Sequence, residues 1–441
     1  MTRIEEFRRG WPVVAVAAFG SGVGLSGLLL YTIGLFVADL ESDLGLSRTA
    51  YGLGLLFVSA GVGIGTITCG RLIDRFGSRA VVATGATALA AGYALLGLVV
   101  DSVPTFLGVM FAMGLLASGT GPLGYTRVVA MWFRTARGLA LGLTMTGIGV
   151  SAAVVPVVLN DVITRFGWRS GFLVLAALAA SAVVPVLALL REPRAVAAGS
   201  GSVATSTTLV AGGADAARVA RTAFDQIVRT QMFRRLLATF FAMAMAFTGL
   251  LSHFVPMLRS MGSTPAHAAT LASIIGVAVI FSRVLVGWLL DLLRPGLVAG
   301  VVCGVSTAGL LVLVAGGAPW APVAAVALGL AIGAEIDMIS YFTARYFALD
   351  GYARAYSWMY AGFVVAAGIA PLAIGASYDA TGSYTATLLV CAVLTAGCTL
   401  AFLTLPAPSP TRVVDPTAQR LRPTATAAPA STLRSVDDPH P

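Results

Sequence analysis

Twelve runs of about 20 apolar residues, parted by short arginine-bearing breaks, constrain this chain more than anything else in it. They fall near 12–38, 50–69, 80–99, 104–131, 138–160, 168–190, 235–258, 266–290, 297–316, 320–344, 355–377 and 384–405. In hydrocarbon a backbone must satisfy its own hydrogen bonds, and a helix does so within one segment. The spacing therefore predicts an all-α membrane protein of twelve transmembrane helices. A soluble fold is excluded, because 11% charged residues cannot cover the surface of a 441-residue globule that is 58% hydrophobic. The net charge of +9 would suggest a nucleic-acid partner in a soluble protein. Here the basic residues are arginines gathered in the breaks, which is an orientation signal, and no nucleic acid is expected.

One set of breaks carries Arg3, Arg8, Arg9, Arg71, Arg75, Arg79, Arg134, Arg137, Arg191, Arg194, Arg294, Arg345 and Arg354. The opposite set carries Arg48, Arg165, Arg169 and Arg259. The richer side reads as cytoplasmic, so a multi-pass inner-membrane protein with both termini cytoplasmic is expected. The charged start, residues 1–10, leads into an apolar run too long for a cleaved signal, so that run should stay as a helix. A long break divides the chain into an N-terminal bundle at 1–190, a cytoplasmic linker at 191–233 and a C-terminal bundle at 234–405. The Pro/Thr/Ala-rich stretch 406–441 reads as a disordered cytoplasmic tail. Cys69, Cys303, Cys391 and Cys398 match no metal or redox spacing and read as helix packing.

The halves repeat. Gly70 precedes Asp74 by four residues between the second and third runs, as Gly287 precedes Asp291 between the eighth and ninth. The fifth run reaches Pro156 and is followed by Asp161 and Gly167; the eleventh reaches Pro371 and is followed by Asp379 and Gly382. Two pseudo-symmetric six-helix bundles imply a transporter with its solute site at their interface, near the midplane.

Residues 70–79, with Gly70, Asp74, Arg75, Gly77 and Arg79, resemble the G-x-x-x-D-R-x-G-x-[RK] signature of the major facilitator superfamily. Trp132, Phe133 and Arg134 followed by Arg137 and Gly138 resemble its monocarboxylate transporter and oxalate–formate antiporter branch. So do Ser273 to Gly276 leading to Arg283, and Glu335 and Asp337 with Arg345. The resemblance implies that Arg283 binds a substrate carboxylate. It also implies that Gly70, Asp74, Arg75, Gly77 and Arg79 form a latch at the inner gate, with the aspartate at a helix terminus of the second half. Two departures stand out. Vertebrate-type members carry an aspartate four residues before the arginine, where this chain has Val279, and a first-helix lysine whose nearest counterpart here is Tyr31.

Arg283 is also a candidate on physical grounds, since a guanidinium deep in an apolar stretch is expensive unless it meets water or an acid. Glu335 and Asp337 lie at a similar depth on the tenth run, offset by only a few ångström at about 1.5 Å per residue. Either acid can neutralise Arg283 until a carboxylate displaces it, and the freed acid then takes up a proton. The bland alternatives are a fixed Glu335–Arg283 pair and an Asp337 tied to Arg345 or to backbone. Tyr125, behind Gly119, Gly121, Pro122 and Gly124, either offers its hydroxyl to substrate or packs; Tyr31 and Tyr341 pose the same choice. Arg127 either snorkels to lipid phosphates or meets substrate. His253 and His267 sit near the outer ends of their runs, so any proton relay is assigned to carboxylates.

No nucleophile–base constellation, metal cluster or phosphate loop is present, so no enzyme activity, metal or cofactor is expected. The expected function is secondary active transport of a small organic anion by alternating access, coupled to protons. Mono- and dicarboxylates are the expected cargo, aromatic acids among them. A carboxylate exchanger and an exporter of amphipathic molecules are the alternatives. The expected partners are the carboxylate, protons and the lipid bilayer, and the expected state is a monomer.

Overall fold

The computed structural model describes residues 3–133, 137–192, 229–347 and 349–406. Nearly all of the linker read at 191–233 and of the tail read at 406–441 lies outside the described residues, as do the side chains at Gly70 and Asp74. Among the described residues every regular element is helical, and twelve helices are long and apolar enough to cross a membrane. The first is Glu5–Leu35 and the twelfth Thr385–Leu403. The observed ends fall within a few residues of the apolar runs except at the first span, which starts in the charged segment at Glu5. An even number of crossings brings Glu5 and Leu403 to one end of the molecule, here called the near end, and the opposite end is the far end.

Spans one to six pack together, as do spans seven to twelve, giving two six-helix bundles. The bundles meet along two seams, the second span (Arg48–Ile73) on the eleventh (Ala355–Thr381) and the fifth (Leu139–Phe166) on the eighth (Pro265–Leu290). Glycines make the first seam possible. A Cβ at Gly52 would collide with Pro371 and Leu372, and one at Gly375 with the Arg48 backbone. With no apolar driving force between helices in lipid, such close backbone packing holds the contact.

Two spans that read as unbroken runs are interrupted. The first stops its helix at Gly22 and resumes at Leu25; the fourth passes through a 3₁₀ turn, Ala117–Thr120, and resumes at Pro122. The breaks face each other, and the Leu25 N–H donates to the Thr120 hydroxyl over 3.1 Å. That bond satisfies backbone which the interruption frees, as membrane depth demands. Hydropathy could not reveal the first break, because Gly22, Val23 and Gly24 remain apolar.

The break read between the second and third spans is shorter than expected. Helix persists through Arg71 and Phe76, and the backbone leaves it at Gly77, with φ 79° and ψ 156°. Only glycine adopts that conformation without strain. Just past it the Ser78 N–H donates to a Glu192 carboxylate oxygen over 3.0 Å. A carboxylate so placed satisfies a free amide and meets the positive end of the third helix. Removing it with Glu192→Ala is expected to cost about 1 kcal/mol. Thermal unfolding in detergent should read this as a drop of about 1–3 °C.

Candidate functional site

The eighth and tenth helices set the centre of the second bundle. Ser282 donates to the Leu330 carbonyl over 2.5 Å, which holds the two helices in register. One residue on, Arg283 Nη1 lies 3.5 Å from Asp337 Oδ1. The Arg283 side chain is 17% exposed and that of Asp337 42% exposed. At 3.5 Å the pair is loose, at the outer limit of a hydrogen bond. Arg283 Nε is buried and has no hydrogen-bond partner among the described residues. The cation is thus held on one side and left with donating capacity on another.

Glu335 is placed differently. It is 2% exposed, and among the described residues its Oε1 has no partner and no ion pair joins it to Arg283. Cys303 of the ninth span and Cys398 of the twelfth lie within its electrostatic range. The two acids that read as interchangeable therefore point apart. Two residues along a helix is a turn of about 200°, so both cannot face the same neighbour. Asp337 meets Arg283 rather than Arg345, which is exposed.

The three tyrosines and the arginine expected to bind substrate are not all gathered. Tyr31 comes from the first bundle to within electrostatic range of both Arg283 and Glu335. Tyr341 spends its hydroxyl on the Leu290 carbonyl, 2.8 Å away. Tyr125 is wholly buried over Gly20, among Val82, Val128 and Val129, and its hydroxyl has no partner among the described residues. The fourth span is interrupted at these glycines, and the ring packs into the first bundle. Of the proposed latch, Arg75 lies over the Phe76 ring at 5.2 Å and Arg79 is exposed. Asp74, which would have to make the helix-terminus contact, lies outside the described side chains.

Sequence reasoning missed Tyr356 on the eleventh span. It bonds Ser340 and lies within range of Asp337. It stacks on Tyr360 at 5.9 Å, and Tyr360 on Phe363 at 5.7 Å. The spacing 356, 360, 363 marks one helix face and was there to be read.

At the far end the bundles are bolted together. Asp379, at the end of the eleventh span, accepts from the Arg48 N–H at 3.2 Å, from the Thr49 N–H at 2.7 Å and from the Thr49 hydroxyl at 2.5 Å. It caps the second span from the other bundle. Arg48 itself donates to Glu41 at 3.1 Å and to the Tyr384 hydroxyl at 2.6 Å, and its guanidinium lies 4.4 Å above the Tyr378 ring. The Tyr51 hydroxyl donates to the Ser252 carbonyl at 2.8 Å. Just outside the spans, the indole N–H of Trp168, 2.7 Å from Asp43, holds that carboxyl below its usual range. While this end is held shut, the Asp337 side chain is still 42% exposed.

The Major Facilitator Superfamily profile matches residues 19–349, three quarters of the chain. The chain belongs to the major facilitator superfamily. It is a multi-pass transporter and not an enzyme. Among curated relatives it is 28% identical over 338 residues to Monocarboxylate transporter 13 of Bos taurus, covering 74% of this chain and 71% of that one. It is 28% identical over 422 residues to Monocarboxylate transporter 11 of Homo sapiens, covering 90% and 83%. A shorter match, 31% over 147 residues, covers 33% of the chain and 32% of the Probable L-galactonate transporter of Escherichia coli K12. Among solved structures, a D-xylose-proton symporter superposes with a TM-score of 0.70 at 15% identity, over 90% of this chain and 98% of that one. At that identity the likeness establishes the fold of this transporter and nothing finer.

Proposed function

We propose that this transporter moves a small organic anion bearing a carboxylate, a mono- or dicarboxylate, by alternating access coupled to protons. The observation that carries the reading is the loosely paired Arg283, whose Nε is buried and unpartnered while Nη1 rests on Asp337. A carboxylate binds a guanidinium through two parallel N–H···O bonds, and the side-on form of that contact engages Nε together with a terminal nitrogen. Asp337 occupies one such position as a stand-in, and the arriving anion displaces it. Relatives named monocarboxylate transporters support the same class.

Glu335 carries the proton in this proposal. Its carboxyl is buried beside Tyr31 and has an unpartnered oxygen, so it takes up and yields a proton as the bundles rearrange around it. The transporter sits in an inner membrane with both termini and the 191–233 linker on the cytoplasmic side, as the arginine asymmetry indicates. The bundles at 1–190 and 234–405 are its two rocking units, and it works as a monomer.

Uptake into proteoliposomes, followed with labelled lactate, succinate and benzoate and with a trapped pH dye, tests the reading. Carboxylate entry with accompanying acidification is expected. Entry of neutral or cationic solutes alone would overturn the substrate class. In Glu335→Gln we expect carboxylate exchange to continue while net acidification falls at least about tenfold, the loss expected of a removed proton-transfer group. Unchanged acidification in that variant would show that the proton travels elsewhere.

A further inference from the structure

His253, excluded from a proton relay by its position along the seventh span, is 1% exposed and fully engaged. Its Nε2 lies 2.9 Å from the Pro371 carbonyl and its Nδ1 lies 3.2 Å from the Tyr384 hydroxyl. A carbonyl only accepts, so Nε2 carries the hydrogen. A guanidinium only donates, so the Tyr384 oxygen accepts from Arg48 and its own hydrogen goes to His253 Nδ1. The bonds run with one polarity, Arg48 to Tyr384 to His253 to Pro371. They join the second span of one bundle to the seventh, eleventh and twelfth of the other, and they close only around a neutral imidazole.

We propose that His253 is a proton-binding site which releases the far-end gate. A proton taken from the far compartment binds Nδ1 and removes the lone pair that accepts from Tyr384. The phenol oxygen then faces two donors, Arg48 Nη1 and His253 Nδ1–H, and its own hydrogen has no acceptor. A second cation has also been added one phenol away from the guanidinium. The low dielectric of a buried network makes both changes costly.

The groups facing His253 leave that cost uncompensated. The second span brings Arg48, and Tyr51, whose ring meets the imidazole edge to face at 5.2 Å. The eleventh brings Asp379, the nearby anion, whose oxygens are already committed to Arg48 and Thr49, and Tyr378, which lies against Arg48. Glu41 is paired to Arg48. The twelfth brings Tyr384. The first span brings Gly34 against Ser252, with no titratable group. On the seventh span itself, Arg259 is in range of Asp39. Opening toward the far side would thus follow the proton supply on that side, whichever solute the transporter carries.

Distance measurements between labelled cysteines test this. Asp101→Cys and Pro319→Cys place labels on exposed far-end loops of the two bundles. Pulsed dipolar distances in nanodiscs should show the long-distance population flat above about pH 6.5, the ordinary histidine value, and rising by up to about tenfold per pH unit from there down to pH 5. His253→Gln should hold it flat, whereas Glu335→Gln should keep the rise. A wild-type protein insensitive to pH would overturn the proposal. So would a His253→Gln variant with the wild-type rise, or a rise lost in Glu335→Gln. Tyr384→Phe provides a check that does not depend on replacing the histidine. It removes the donor to Nδ1 and should raise the long-distance population already at pH 8; an unchanged population there would also overturn the proposal.

Discussion

An Arg283→Ala variant is expected to lose carboxylate uptake almost entirely, by a factor of about 100 or more. Two charge-assisted hydrogen bonds are removed, each contributing about 1.5–3 kcal/mol, and about 1.4 kcal/mol is a factor of ten. Asp337 loses its cation as well, but its side chain is 42% exposed rather than enclosed. The protein should therefore fold, and its melting temperature should stay within a few degrees of wild type. Arg283→Lys should not restore uptake. An ammonium is a point charge without the planar fork, and it cannot reproduce the contact that Nε and a terminal nitrogen make together. Thermal-shift titration with the same acids separates binding from turnover, because a ligand of the folded state raises the apparent melting point. An exporter of amphipathic molecules would behave otherwise, with Arg283→Ala keeping most of its activity. Uptake within threefold of wild type in a well-folded Arg283→Ala protein would end the carboxylate reading.

Asp379→Ala should have the next largest effect, on conformation rather than on binding. The carboxylate accepts three hydrogen bonds from the start of a helix in the other bundle. Caps of this kind contribute about 1–2 kcal/mol, with a further contribution from the helix dipole. Because the contact exists only while the far end is closed, its loss shifts the open–closed equilibrium by about 5–30-fold. The distance pair Asp101→Cys and Pro319→Cys should report that shift as a larger open population at pH 8. Asp379→Asn keeps an acceptor and loses the charge, so it should fall between wild type and alanine. A closed population unchanged in Asp379→Ala would mean that the helix seams alone hold the gate.

The same physics that was assigned to Asp74 from its motif appears here at Asp379, at the opposite end of the molecule. The signal was present in the repeat, since Asp161 and Asp379 follow the corresponding fifth and eleventh spans. Yet Asp161 pairs with Arg165 over 2.8 Å on its own helix, and only Asp379 reaches across. Pseudo-symmetry marked two candidates, and neighbouring residues separated them.

Much of this protein was legible along the chain because the governing interactions are local or averaged over a span. The length of an apolar run sets whether it crosses a bilayer, and a buried arginine declares its own cost wherever it stands. Twelve spans, two six-helix bundles and the singling out of Arg283 all follow from such terms. Which acid meets Arg283, where Tyr125 comes to rest and what surrounds His253 were settled by tertiary packing. Those outcomes depend on the rotation of one helix against another. Moving two residues along a helix turns a side chain by about 200°, enough to send Glu335 into its own bundle and Asp337 to the guanidinium.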